Sequence, residues 1–187
     1  MERIQLNNTH AYSDFILEEE RLFFLDWINK NISSNRRVIL SPEDISNAPL
    51  ELIEKYKSQI IQLENIKNFL SKAKSGNFVW IEGENSTINY HFDNNFDKYV
   101  HTRYNLILSY PEQGGHSIYG DKVNVLKERM LWKCIAGKVK HGATKVIGIK
   151  PRVTLSFSFF IHESELYDEY SKIKNFDVIP DDIKIQM

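Results

Sequence analysis

Residues 141–159 read HGATKVIGIKPRVTLSFSF, and the rest of the chain is best approached from there. The stretch opens on an imidazole, His141, and closes in a strictly alternating run headed by Arg152. Successive side chains of a strand point to opposite faces. Arg152, Thr154, Ser156 and Ser158 therefore share one side, and Val153, Leu155, Phe157 and Phe159 share the other. The bulky side must pack against protein. The polar side either faces water or lines an interior polar cavity. A histidine and an arginine held beside such a cavity point to a metal and an anion.

Working outward, β-prone segments recur upstream at 78–81, 87–92, 104–110, 116–119, 123–126 and 130–135, and within the stretch at 143–149 and 153–161. Turn chemistry separates them, at Gly83-Glu84-Asn85, Asn94-Asn95, Gly114-Gly115, Gly120-Asp121 and Lys150-Pro151. About eight short strands with little helix between them predict an antiparallel sandwich or barrel. The first part reads helical. Ser13-Asp14 is the expected cap of a helix carrying Phe15, Leu22, Phe23, Leu25, Trp27 and Ile28. Over 49–70 apolar residues return at spacings of three and four, as one long helix or two shorter ones. A short helix is expected over 163–173. The whole is a single α+β domain, mainly β, over 1–187: helices over 1–75, a β-core over 76–161 and a tail over 162–187.

A chain of 187 residues can bury a real core. Its formal net charge of -1 gives no electrostatic case for nucleic acid or an anionic membrane as partner. The single cysteine, Cys134, excludes an intrachain disulfide and suits a reducing, cytoplasmic setting. It lies in the apolar run Leu131-Trp132-Lys133-Cys134-Ile135 and reads as a buried thiol. The first ten residues lack the basic-then-apolar order of a signal peptide, and no apolar run is long enough to span a bilayer.

His91 and Asp93, with one residue between them, point the same way from a strand end. They make two arms of a metal site, and His141 can be the third. Two imidazoles and one carboxylate on one face of a metal, with the other face open, form the ligand set of non-haem Fe(II) oxygenases. Taken singly, each element has a plainer reading: His-x-Asp as a turn with a surface imidazole, His141 as a loop histidine, Arg152 as an edge-strand charge that blunts aggregation. The weight lies in the order: His-x-Asp, several strands, His, then Arg heading a polar-faced strand.

In that order the chain resembles the 2-oxoglutarate- and Fe(II)-dependent oxygenases, in particular the prolyl-hydroxylase-like group. The resemblance is carried by His91-Phe92-Asp93, the run from Arg103 to Leu108, Gly114-Gly115, Ala136-Gly137, His141-Gly142 and the run from Arg152 to Phe157. It implies a double-stranded β-helix, a jelly roll with the metal in its mouth. It also implies Fe(II) held by His91, Asp93 and His141, with 2-oxoglutarate as cosubstrate and O2 as oxidant. Arg152 would then grip the far carboxylate of 2-oxoglutarate, a task suited to a planar guanidinium that binds carboxylate through two parallel hydrogen bonds. Thr154, on the same face, would add a hydroxyl. Asn105 and Tyr110 are two further candidates for the cosubstrate, and strict alternation does not let both point inward.

The expected activity is hydroxylation, or another C–H oxidation, of a small molecule such as an amino acid or natural-product intermediate, with release of succinate and CO2. Loops at 82–87 and 94–100 are the expected substrate cover. The alternatives are a cupin-like binding module without oxygen chemistry and a protein or peptide hydroxylase.

Overall fold

The computed structural model describes residues 1–32, 37–40, 47–70 and 76–186. Among these, thirteen strands run in chain order. They are β1 (Glu2–Gln5), β2 (His10–Ser13), β3 (Arg37–Ile39), β4 (Phe78–Glu82), β5 (Ile88–His91), β6 (Tyr99–Ser109) and β7 (Gln113–Gly114). Then come β8 (Ser117–Tyr119), β9 (Lys122–Asn124), β10 (Leu131–Cys134), β11 (His141–Ala143), β12 (Val146–Ile147) and β13 (Arg152–His162). The helices are α1 (Glu18–Asn31), α2 (Leu50–Leu63), α3 (Tyr167–Tyr170) and α4 (Asp181–Ile185).

Seven strands form the major sheet, in the order β1-β2-β10-β6-β13-β4-β3, with every pairing antiparallel. Four form the minor sheet, β5-β11-β8-β9, also antiparallel. β7 and β12 pair by themselves. The sandwich expected from strand count and turn spacing is what forms.

Side-chain alternation divides the major sheet into two working faces. On one, Val79 and Ile81 of β4, Tyr104, Leu106 and Leu108 of β6, and Val153, Leu155, Phe157 and Phe159 of β13 pack in a single apolar cluster. Phe24, Trp27 and Ile28 of α1 and Ile53, Tyr56 and Ile60 of α2 close over it. Burying one such side chain stabilises the fold by about 1.5–3 kcal/mol, so this layer anchors the long strands. On the other face Ile107, Trp132, Cys134 and Tyr119 make a second, smaller cluster, and beside it lie Trp80, Glu82, Arg103, Asn105, Arg152 and Thr154. The polar set of β13 therefore faces inward, not toward water: all of residues 152–159 are buried.

The expected helices form with different edges. α1 begins at Glu18, not after Ser13-Asp14, because Ser13 is taken up in β2 opposite Glu2. Glu18, Glu19 and Glu20 then occupy the first turn, where carboxylates suit the helix dipole. Leu22 and Phe23, apolar positions of the expected helix, are about half exposed. α2 stops at Leu63, and Asn65 at φ 50° turns the chain so that Phe69 bridges to Ile161 of β13. The segment expected as strand over 143–149 is split between β11 and β12, and the tail helix over 163–173 is a 3-10 turn followed by α3. β1 and β2, which extend the major sheet, carried no recognised signal in a region read as helical. The expected boundary at 75 falls on residues 71–75, outside the described residues.

Candidate metal centre

β5 and β11 are neighbours in the minor sheet, and their register sets His141 opposite His91. The two rings lie with centroids 4.4 Å apart. Asp93 follows β5 by two residues and is held in place by its own backbone N–H, which donates to the Ala136 carbonyl. The outcome is a cluster in which one donor atom from each of His91, Asp93 and His141 lies within 4.8 Å of the others.

The atoms of this cluster are prepared for a cation. His91 Nδ1 sits 2.6 Å from the Asn89 carbonyl, a contact that requires the proton on Nδ1 and leaves Nε2 as the ring nitrogen facing the cluster. That Nε2 is 3.5 Å from Asp93 Oδ1. The other carboxylate oxygen, Oδ2, accepts from Arg103 Nε at 2.5 Å and lies 3.2 Å from His101 Nδ1. Asp93 thus has one oxygen pinned and one free for the site. Burial works against its charge, but hydrogen bonds from His91 and Arg103 hold its carboxyl well below the usual carboxylate range. Burial pushes His141 down to about 4, so it is neutral at pH 7, as a ligand must be. Its Nδ1 is buried without a hydrogen-bond partner. His91 is shifted the other way, upward, through its contact with Asp93.

The cluster opens on a cavity of about 100 Å³ between the sheets. From the minor sheet Ile88, His91, His141 and Gly142 line it; from the major sheet Trp80, Glu82, Asn105, Trp132, Arg152 and Thr154 do. Arg152, 3% exposed, donates from Nη1 to Glu82 Oε2 at 2.6 Å and from Nη2 to Ser117 Oγ at 2.9 Å, while its Nε has no partner. Thr154 Oγ1 is likewise buried and unpaired. The donors of His91, Asp93 and His141 and the side chains of Arg152 and Thr154 thus line one and the same cavity.

Many solved structures resemble the fold, among them the following three. A viral collagen prolyl hydroxylase from Paramecium bursaria Chlorella virus-1, in complex with 2-oxoglutarate, superposes with a TM-score of 0.60 at 13% identity, covering 83% of this chain and 97% of that one. HygX from Streptomyces hygroscopicus, with nickel, 2-oxoglutarate and hygromycin B bound, gives 0.59 at 12% identity, covering 82% and 83%. A prolyl hydroxylase from Trichoplax adhaerens, in complex with a hypoxia inducible factor peptide, gives 0.57 at 13% identity, covering 85% and 86%. This chain has the jelly-roll fold of the 2-oxoglutarate oxygenases. No family model and no curated protein matches the sequence.

Within that jelly roll, residues singled out from the sequence divide into two groups. His91, Asp93, His141, Arg152, Thr154 and Asn105 all line the one cavity. Tyr110 does not: its hydroxyl lies 2.8 Å from His116 Nδ1, outside the lining. Four participants carried no signal that was read. Glu82 was placed in a loop, yet it ends β4 opposite Arg152. Arg103 was quoted only for the resemblance, yet it pins Asp93. His101, stacked on Phe160 and pushed down to about 4 by burial, backs the same carboxylate. Trp132 was read as core and forms cavity wall as well. The expected cover loops are partly tied down: Asn95 donates to the Gly137 carbonyl at 2.8 Å and accepts from the His101 N–H at 3.0 Å.

Proposed function

We propose that the protein is an Fe(II)- and 2-oxoglutarate-dependent oxygenase acting on a C–H bond of a small molecule. The observation that carries this reading is the meeting of His91, Asp93 and His141 at the mouth of a cavity whose other end holds Arg152 and Thr154 with unpaired polar atoms. Fe(II) with 2-oxoglutarate, when bound, would supply the activation of O2 and the oxidation of the cosubstrate to succinate and CO2.

The chain's own residues do the positioning. His91 Nε2, Asp93 Oδ1 and His141 would hold the ion. Arg103 and His101 keep Asp93 turned so that Oδ1 faces it. Arg152 and Thr154 take the far end of the cosubstrate, and Asn105, on the wall between, offers an amide to its flank. Trp80, Trp132 and Ile88 keep the space around these groups apolar and poor in water. Short loops around the opening favour a small metabolite, and a small molecule, hygromycin B, is bound in the HygX structure.

The test is an anaerobic titration with Fe(II) and 2-oxoglutarate. A weak visible charge-transfer band is expected in the wild type and absent in His141→Ala and Asp93→Ala. No band in the wild type refutes the assignment. A succinate-release screen over amino acids and natural-product scaffolds then separates the substrate classes: turnover on peptides alone moves the proposal to a protein hydroxylase. No iron in metal analysis and no succinate with any candidate leaves a binding module.

A further inference from the structure

Three arginines line the cavity, and two of them have carboxylate partners. Arg103 donates to Asp93 at 2.5 Å, and Arg152 to Glu82 at 2.6 Å. The third, Arg37, makes no ion pair or hydrogen bond among the described residues. It stands on β3, the edge strand of the major sheet, directly opposite Trp80 of β4. Directly opposed residues share a face, so Arg37 is on the side of the sheet that presents Trp80 and Phe78 to the cavity. Its guanidinium carbon lies 4.1 Å from the centroid of the Phe78 ring, and Phe78 is 3% exposed. Arg37 is itself exposed. It is a rim residue, open to solvent but laid against the cavity wall. An edge-strand charge that only keeps other chains away needs no such seat.

The Phe78 ring supports the cation through its π face and accepts none of the guanidinium N–H donors in the ordinary way, so these remain for another partner. Burial, and then the like charge of Arg103, push Arg37 down from the ordinary arginine range, and Asp93 offsets only part of this. The charges of the lining do not close either. Three guanidinium groups against the two lining carboxylates leave one positive charge over. Neutral His91 and His141 do not alter that count, and a divalent ion with a doubly ionised 2-oxoglutarate adds nothing net. The surplus sits at Arg37, because the other two arginines are matched. Register keeps it away from the cosubstrate's end: Arg37, Trp80 and Thr154 form one row across β3, β4 and β13. With about 4.8 Å between strands, about 10 Å separates the backbones of Arg37 and Thr154, and Trp80 stands between them.

We propose that Arg37 anchors the substrate, and that the substrate is a small molecule with a single carboxylate, held at the rim while the rest of it reaches toward His91, Asp93 and His141. The inference rests on the oxygenase reading of this cavity and narrows it to acidic substrates. Guanidinium and carboxylate pair through two parallel hydrogen bonds. One negative charge closes the balance, whereas a phosphate monoester at about −1.5 to −2 overshoots it.

The experiment is proton relaxation in the Mn(II)-loaded protein saturated with 2-oxoglutarate. The probes are matched acids and amides: propionate and propionamide, phenylacetate and phenylacetamide, N-acetylglycine and N-acetylglycinamide. A probe held in the same cavity as Mn(II) relaxes faster, and titration gives its affinity without any turnover. In the wild type at least one acid is expected to bind about tenfold more tightly than its amide, the scale of a charge-assisted pair. In Arg37→Met that preference is expected to fall to about twofold or less, with Tm and 2-oxoglutarate affinity unchanged. Arg37→Lys, which keeps the charge and loses the fork, is expected to retain part of it. No acid binding better than its amide in the wild type, a preference that survives Arg37→Met, or an equal loss of 2-oxoglutarate affinity in Arg37→Met overturns the role of Arg37 and leaves the oxygenase reading standing. Failure of 2-oxoglutarate to bind the wild type overturns both, because the charge count includes it.

Discussion

Replacing Glu64 by Gln should loosen the scaffold behind the site by an amount the structure lets one work out. Glu64 caps the C-terminus of α2, and its side chain is 6% exposed. Four groups converge on it: His10 Nε2 at 2.7 Å and Tyr12 Oη at 2.6 Å on Oε1, Tyr104 Oη and Lys133 Nζ both at 3.1 Å on Oε2. They come from β2, β6 and β10, so this one carboxylate ties α2 to three neighbouring strands of the major sheet. Removing one partner of a buried, hydrogen-bonded charge pair costs about 3–5 kcal/mol. Lys133 keeps Glu169 at 2.6 Å, and the amide keeps some of the hydrogen bonds, so the low end, about 3 kcal/mol, applies. For a chain of this size that lowers Tm by about 6–12 °C.

The pH dependence follows from the same contacts. Burial opposes the charge of Glu64, but His10 and Lys133 win and hold its carboxyl well below the ordinary glutamate range. A carboxyl depressed in the folded state contributes stability that is present above the unfolded pKa, about 4.3. That stability is lost as pH falls toward the folded value. The wild-type advantage over Glu64→Gln should therefore be full at pH 7 and shrink progressively below about pH 4. Urea unfolding across pH 3–8 measures it, with the slope m unchanged between the two proteins. A difference under about 1 kcal/mol at pH 7, of the size expected for a surface pair, or a difference that does not narrow in acid, refutes the reasoning.

Other outcomes follow from the site and its walls. Arg103→Met frees Asp93 Oδ2 and should weaken Mn(II) or Co(II) binding by about 10–100-fold, read by calorimetry. Adding Co(II) at a hundredfold excess over its Kd should raise stability by about 2.7 kcal/mol in the wild type and not in His141→Ala, seen as a Tm shift. At Gly142 an added Cβ would sit 2.7 Å from the Ile88 carbonyl of β5, so Gly142→Ala should push β11 from β5, lower Tm and weaken metal binding together. Phe157→Ala empties a fully buried position under α1 and α2 and should cost about 3–5 kcal/mol in chemical denaturation, with metal affinity at the folded protein little changed.

The alternation of residues 152–159 was enough to give β13 two faces, and the apolar face packs as that pattern requires. The chemistry of the candidate centre was equally visible: a His-x-Asp pair and a later histidine are ligand types wherever the backbone puts them. Whether the polar face of β13 met water or a cavity was open, because period-2 alternation looks the same in both cases. Closure by the minor sheet decided it. β1 is a polar strand at the sheet's edge, Glu2-Arg3-Ile4-Gln5, and β2 is four residues long, so neither has the apolar run by which strands are recognised.

What the sequence by itself determined is therefore the kind of each donor and the side of its strand on which it stands, since both are local properties of residue type and backbone period. Which donors face one another was decided only by the tertiary structure. Glu82 stands opposite Arg152 through a β4–β13 pairing across 70 residues, and Arg103 meets Asp93 where the chain turns back through the Phe96–Tyr99 bridge into β6. Strand register is a cooperative outcome of packing whole faces, and no single segment encodes its partner.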